Sequence, residues 1–193
     1  MSHHDLTPSE WIVRHAHLVP AGARVLDLAA GHGRHARYFA ARGAQVLAVD
    51  RDAAALGELA AVSGVATRVT DLEAGAWPFA GERFDAIVVV NYLHRPLMRH
   101  LRAALAPDGA LLYETFAMGN EAFGRPTNPD FLLCHDELLT VAALPPVPLQ
   151  VVAFEQGTVD QGERKAVVQR IAAVGPARAW PPALQTASGN ARG

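Results

Sequence analysis

Residues 24–33, Arg-Val-Leu-Asp-Leu-Ala-Ala-Gly-His-Gly, run from a short apolar stretch through Asp27 into a small-residue turn, and a helical pattern follows. Gly31 and Gly33 let a backbone approach a ligand where a Cβ would clash, and the first N–H groups of the next helix point into the same space. A second apolar run at 45–49 ends in the acid Asp50, with Arg51 beside it. Its distance from the loop is about that at which strand–loop–helix units hold a ribose. Together these residues predict a site for an adenosyl cofactor.

Two cofactors compete for such a loop. Gly31-His32-Gly33-Arg34-His35-Ala36 satisfies the dinucleotide spacing G-x-G-x-x-A, a weak signal when it stands alone. A dinucleotide site neutralises a pyrophosphate, so a carboxylate just ahead of its glycines repels the ligand. Here Asp27 stands four residues before Gly31, at the strand end where ligands of such sheets dock. A carboxylate there suits a ligand with positive charge, such as the ammonium and sulfonium of S-adenosylmethionine. Arg34 and His35 open the following helix, within reach of the cofactor's carboxylate, which the helix N-terminus also favours.

At this point the chain resembles the class I S-adenosylmethionine-dependent methyltransferases over most of residues 20–175. Their first motif, acidic-x-Gly-x-Gly-x-Gly, is matched by Asp27-x-Ala29-x-Gly31-x-Gly33, with alanine in place of the first glycine. That replacement is tolerable if position 29 does not need a positive φ, and it narrows the space for the methionine part of the cofactor. The resemblance implies that Asp50 binds the ribose and that Asp71-Leu72 contacts the adenine. It also implies that the run 84–90 opens at Asn91 and Tyr92 onto the reaction centre. A narrower similarity rests on Asn91-Tyr92-Leu93-His94-Arg95-Pro96, on Tyr113-Glu114-Thr115-Phe116 and on the loop from Gly119 through Arg125 to Pro129. It is to a small bacterial branch near the tellurite-resistance methyltransferases.

Methyl transfer from a sulfonium needs alignment and exclusion of water more than acid–base help. The side chains this fold offers to an acceptor are Asn91, Tyr92, His94, Tyr113 and Glu114. His94 either takes a proton near neutral pH or caps the next helix. Glu114 serves as a base, as a cation contact or as a structural hydrogen-bond partner. Arg95 and Arg125 carry guanidinium forks that select planar oxyanions and carboxylates; Arg125 either clamps such an acceptor or ties down its own loop.

The elements that must position these residues follow from pattern. Strand-like runs at 24–28, 45–49, 66–69, 84–90 and 109–115 alternate with helical patterns at 33–42, 52–61 and 96–105. Such alternation gives a doubly wound, mostly parallel α/β sheet. Two last runs, 149–155 and 164–174, flank a turn-rich link at 157–162 and read as an antiparallel hairpin, so the expected Rossmann-like sheet has seven strands. Thr7-Pro8-Ser9-Glu10 reads as a capping box with proline at the first helical position. A Gly/Asn/Pro-rich loop at about 117–134 sits where loops serve a ligand, before a short helix near 135–144. Residues 1–175 are expected to form one domain and 176–193 a disordered tail.

Composition narrows the function classes. Lys and Arg number 17 against 19 Asp and Glu, a net charge of −2, which gives no drive towards a nucleic-acid backbone; Arg95, Arg99 and Arg102 remain as a local basic cluster or solvated helix charges. A single cysteine, Cys134, fits a reducing cytoplasm and rules out a thiolate-rich metal site within one chain. His15-x-His17 and His32-x-x-His35 lack acid or thiol companions, so no metal site is expected. The sequence therefore predicts a cytoplasmic methyltransferase, monomer or homodimer, acting on a small oxyanion, thiol or carboxylic acid without membrane or nucleic-acid partners. The alternative is a non-catalytic module that binds S-adenosylmethionine or its product, followed by a nicotinamide oxidoreductase and a nucleic-acid methyltransferase.

Overall fold

Short β-branched runs bounded by glycine-rich turns become strands because a pleated, buried surface packs such side chains well. The computed structural model describes residues 6–145, 147–160 and 165–181. Among them stand β1 (Arg24–Leu28), β2 (Gln45–Asp50), β3 (Val65–Val69), β4 (Phe84–Val90), β5 (Leu105–Phe116), β6 (Gln150–Asp160) and β7 (Lys165–Val174). They form one sheet in the order β3-β2-β1-β4-β5-β7-β6. The first five pair in parallel, and β7 runs antiparallel to both β5 and β6.

Five α-helices cover the sheet: α1 (Glu10–His15), α2 (Arg34–Ala41), α3 (Ala53–Gly57), α4 (Met98–Ala104) and α5 (Glu137–Ala142). On one face Trp11, Phe39 and Leu56 pack on Val25, Val46 and Val88. On the other Met98, Leu101 and Leu138 pack on Leu26, Ile87 and Val89. Alternate residues of the central strands thus feed opposite cores, and the sheet is doubly wound. Each fully buried large apolar side chain contributes roughly 1.5–3 kcal/mol, so both layers are firmly attached.

Several element boundaries differ from the pattern reading. Ser9, not Thr7, caps α1, its Oγ accepting from the Trp11 N–H. The helix expected over 52–61 ends at Gly57. The one expected over 96–105 splits into a 3-10 turn, Arg95–Leu97, and α4. β5 starts at Leu105 with a slip in its pairing to β4 between Phe84 and Ala86. Residues 157–160, expected in the hairpin link, continue β6, whose Asp160 pairs with Lys165 of β7; Gln161 and Gly162 lie outside the described residues. Of the expected tail, residues 182–193 also lie outside them, while Arg178 donates to the carbonyls of Asp108 and Leu18.

The strand order reverses between β1 and β4, each of which has the next strand of the chain, β2 or β5, on its outer side. At such a switch point the loops leave the two strands in opposite directions and open a crevice at their carboxyl ends. Asp27, Asn91 and Glu114 all lie at that edge.

Candidate active site

The turn after β1 is built around left-handed backbone. Ala29, Gly31 and Gly33 have φ of 56°, 52° and 73°. Position 29 therefore does require the conformation that the replaced glycine adopts freely, and the alanine carries a strain of roughly 1 kcal/mol. Gly33 caps α2, and a Cβ on it would clash with the Leu59 side chain, so a larger residue there must displace Leu59 as well as hold a positive φ. Asp50 at the end of β2 accepts from the Gly31 N–H at 2.8 Å and from the Asp52 N–H at 2.9 Å.

Asp27 is 2% exposed, and its Oδ2 is buried without a hydrogen-bond partner. Burial pushes its carboxyl up to about 7, against the opposing pull of the Ala36 N–H and the Arg34 charge. A buried carboxylate oxygen with no donor is costly unless a ligand supplies one.

Three cavities meet at the exit of β4. The first, about 480 Å³, is lined by Asp50, Arg51, Asp71, Leu72, Tyr92 and Phe131, among others. The second, of the same volume, lies under the long loop beside Glu114, Arg125 and Arg170. The third, about 280 Å³, holds Asp27, Ala29, Gly31, Arg34 and His35. Asn91, with a φ of 57°, lines all three. Asp71 fixes its own turn by accepting from the Glu73 N–H at 2.9 Å, which leaves its second oxygen for the cavity.

The other candidates divide sharply. Tyr92 is half-buried at the first cavity, and burial with the nearby Glu73 and Asp71 carboxylates pushes its phenol well above the usual range, so it is a neutral donor and not a base. Tyr113, offered by the sequence to an acceptor, is 2% exposed and donates to the Tyr92 carbonyl at 2.9 Å. His94 precedes the 3-10 turn without capping it through its side chain, and it lines none of the three cavities. Glu114 lies in the second cavity, where it pairs with Arg170 at 2.7 Å and accepts from the Ser9 hydroxyl at 3.0 Å.

His35 and Arg95 depart from the roles proposed for them. His35 accepts from the Ser9 N–H at 3.2 Å, and burial lowers it to about 3. It is therefore neutral and fastens α1 over the loop, offering no charge to a cofactor carboxylate. Arg95 grips Glu137 with two nitrogens at 2.7 and 2.9 Å and the carbonyls of Asp130 and Leu132 with the rest. Its fork is filled by the protein itself, so it is not an acceptor clamp. Arg102, 8% exposed, donates to the Val147 carbonyl, which dissolves the suggested basic cluster. Arg125 is exposed beside the second cavity, and among the described residues its side chain makes no hydrogen bond or ion pair to its own loop.

Arg170, Ser9 and Lys165 escaped the sequence reading. For Arg170 and Lys165 the signal was the hairpin itself, since the antiparallel register sets Arg170 opposite Glu114 and Glu155 and Lys165 opposite Asp160.

Residues 25–109 match the family described as Methyltransferase domain. Among solved structures, TehB from Haemophilus influenzae superposes on 86% of this chain at 18% identity with a TM-score of 0.68. This chain spans 61% of the length of that protein. The 1,6-didemethyltoxoflavin-N1-methyltransferase of Burkholderia thailandensis, solved with 1,6-didemethyltoxoflavin and S-adenosylhomocysteine, matches 86% of this chain and 76% of its own at 22% identity and a TM-score of 0.62. A TehB-like methyltransferase from Corynebacterium glutamicum covers 86% of both chains at 20% identity with a TM-score of 0.58. At these identities the likeness establishes the fold. No curated protein matches by sequence. No helix among the described residues is long and apolar enough to cross a membrane.

Proposed function

We propose that this protein transfers a methyl group from S-adenosylmethionine to a small molecule. The observation that carries the reading is the orphaned, buried Oδ2 of Asp27 beside a glycine turn at the switch point. It is a site made for an ammonium group, and it opposes a pyrophosphate. When bound, the cofactor supplies a methyl carbon activated by sulfonium, which passes to a nucleophile's lone pair while the S–C electron pair stays on sulfur as a neutral thioether.

The chain's own residues do the positioning. Asp27 takes the ammonium, Asp50 holds the ribose hydroxyls with the oxygen lone pairs its two backbone bonds leave free, and Asp71 with Leu72 brackets the adenine. Asn91, where the three cavities meet, marks where donor and acceptor come together. Glu114 is neutralised by Arg170 and orders the cavity floor. The side chains that line the acceptor cavity thus align the reactants, in keeping with a reaction whose leaving group is already activated. The surface balance of charge and the cavity sizes favour small molecules over nucleic acid.

The test is production of S-adenosylhomocysteine from S-adenosylmethionine in the presence of small oxyanions, thiols and carboxylic acids. Acceptor-dependent turnover is expected. Tight binding with no turnover on any of them would instead favour a non-catalytic binding module.

A further inference from the structure

Granting the methyltransferase reading, the first and third cavities are filled by the cofactor, and the second is left for the acceptor. Its described ionisable lining comprises Arg34, Arg125, Lys165 and Arg170 against one carboxylate, Glu114. Glu114 and Arg170 form an ion pair at 2.7 Å, and Arg170 also reaches Glu155 at 3.3 Å. Lys165 pairs with Asp160 at 3.3 Å, and Arg34 donates to the Thr7 carbonyl. Among the described residues Arg34 has no carboxylate partner and Arg125 makes no side-chain hydrogen bond or ion pair, so Arg125 is the cation of the cavity most open to an anion. The rest of the wall has an apolar part, Phe116, Phe123, Val159, Ala166 and Val168, and a polar part, Ser9, Asn91 and Asn120. Phe123 stands 47% exposed at the rim.

A bare oxyanion at Arg125 would leave most of a cavity of about 480 Å³, and all of this apolar wall, to water. A neutral apolar molecule would cover the apolar side chains while leaving the exposed Arg125 guanidinium at the rim without a counter-charge. Both demands are met together by one chemistry. We infer that the acceptor is an organic carboxylate with an apolar, ring-sized body. Its carboxylate sits in the Arg125 fork at the rim, its body lies against Phe123 and Val168, and its methyl-accepting atom is at the opposite, Asn91 end. The carboxylate is then the handle and not the atom methylated.

The probes are phenylacetate, its neutral analogue 2-phenylethanol, its cationic analogue phenethylamine, and sulfate. Each is titrated by ligand-observed NMR into protein saturated with S-adenosylhomocysteine. Phenylacetate is expected to bind at least tenfold more tightly than the other three, Arg125→Ala to weaken it about tenfold, and Arg125→Lys to restore part of the loss. Equal affinity for 2-phenylethanol, undiminished binding in Arg125→Ala, or no phenylacetate binding would overturn the inference, and preferential binding of sulfate would replace it with a bare oxyanion. The titration with S-adenosylhomocysteine comes first: its failure would sink the underlying methyltransferase reading, whereas its success with phenylacetate unbound sinks the carboxylate assignment alone.

Discussion

Gly31 donates its backbone N–H to the Oδ2 of Asp50 at 2.8 Å, so the acid at the end of β2 also fixes the glycine turn that follows β1. One carboxylate thus shapes the loop and offers its remaining lone pairs to a ribose. Asp50→Ala is expected to lower stability by about 1–3 kcal/mol and to weaken S-adenosylhomocysteine binding at least tenfold. Calorimetry and chemical denaturation on the same preparation check both. Weakened binding with unchanged stability would show that the loop does not depend on the acid.

Asp27 predicts a pH dependence. Its folded pKa of about 7 lies above the unfolded value, so between about pH 4 and 7 the native state keeps a proton that the unfolded state has released. This group's contribution to the stability of the ligand-free protein is therefore fully present below about pH 4 and is lost as pH rises to about 7. Ligand binding runs the other way, because the ammonium needs the carboxylate. S-Adenosylhomocysteine affinity should rise by roughly tenfold from pH 6 to 8. Asp27→Asn should flatten that profile, weaken binding and leave the ligand-free protein at least as stable at pH 8; a profile unchanged by the substitution would remove the role given to this carboxylate.

Ala29 carries a strain that glycine relieves. At a φ of 56° the gain from Ala29→Gly exceeds the added freedom of the unfolded chain, and a stabilisation of about 0.5–1 kcal/mol is expected. A lower denaturation midpoint would mean that the turn favours the methyl group for packing.

Glu114 and Arg170 are 11% and 9% exposed in their side chains. Removing one partner of such a pair leaves a buried charge, so Glu114→Gln should destabilise the protein by about 3 kcal/mol, and Arg170→Met in the same chain should recover part of it. Additive losses in the double variant would deny the coupling.

How much of this was legible in the sequence depended on whether the cause was local. β1 and β4 are bounded where their apolar runs meet turn residues, so 24–28 and 84–90 could be read directly. The acids proposed for the cofactor, Asp27, Asp50 and Asp71, could be picked out because each ends or follows such a run. Ser9 as the cap of α1 was not, since its choice over Thr7 is reinforced by Glu114 and His35, residues distant in the chain. Arg95 and Arg125 looked alike as lone guanidinium groups beside a loop; only the arrival of Glu137 at Arg95 separates them. Arg170 stood hidden in an apolar strand until the hairpin register set it opposite Glu114.

The central claim is met most directly by titrating the protein with S-adenosylmethionine, S-adenosylhomocysteine and reduced nicotinamide dinucleotide side by side in a calorimeter. Micromolar binding of the first two with no heat from the third is predicted. Binding of the dinucleotide alone would contradict the reading of Asp27 and the methyl-transfer function built on it.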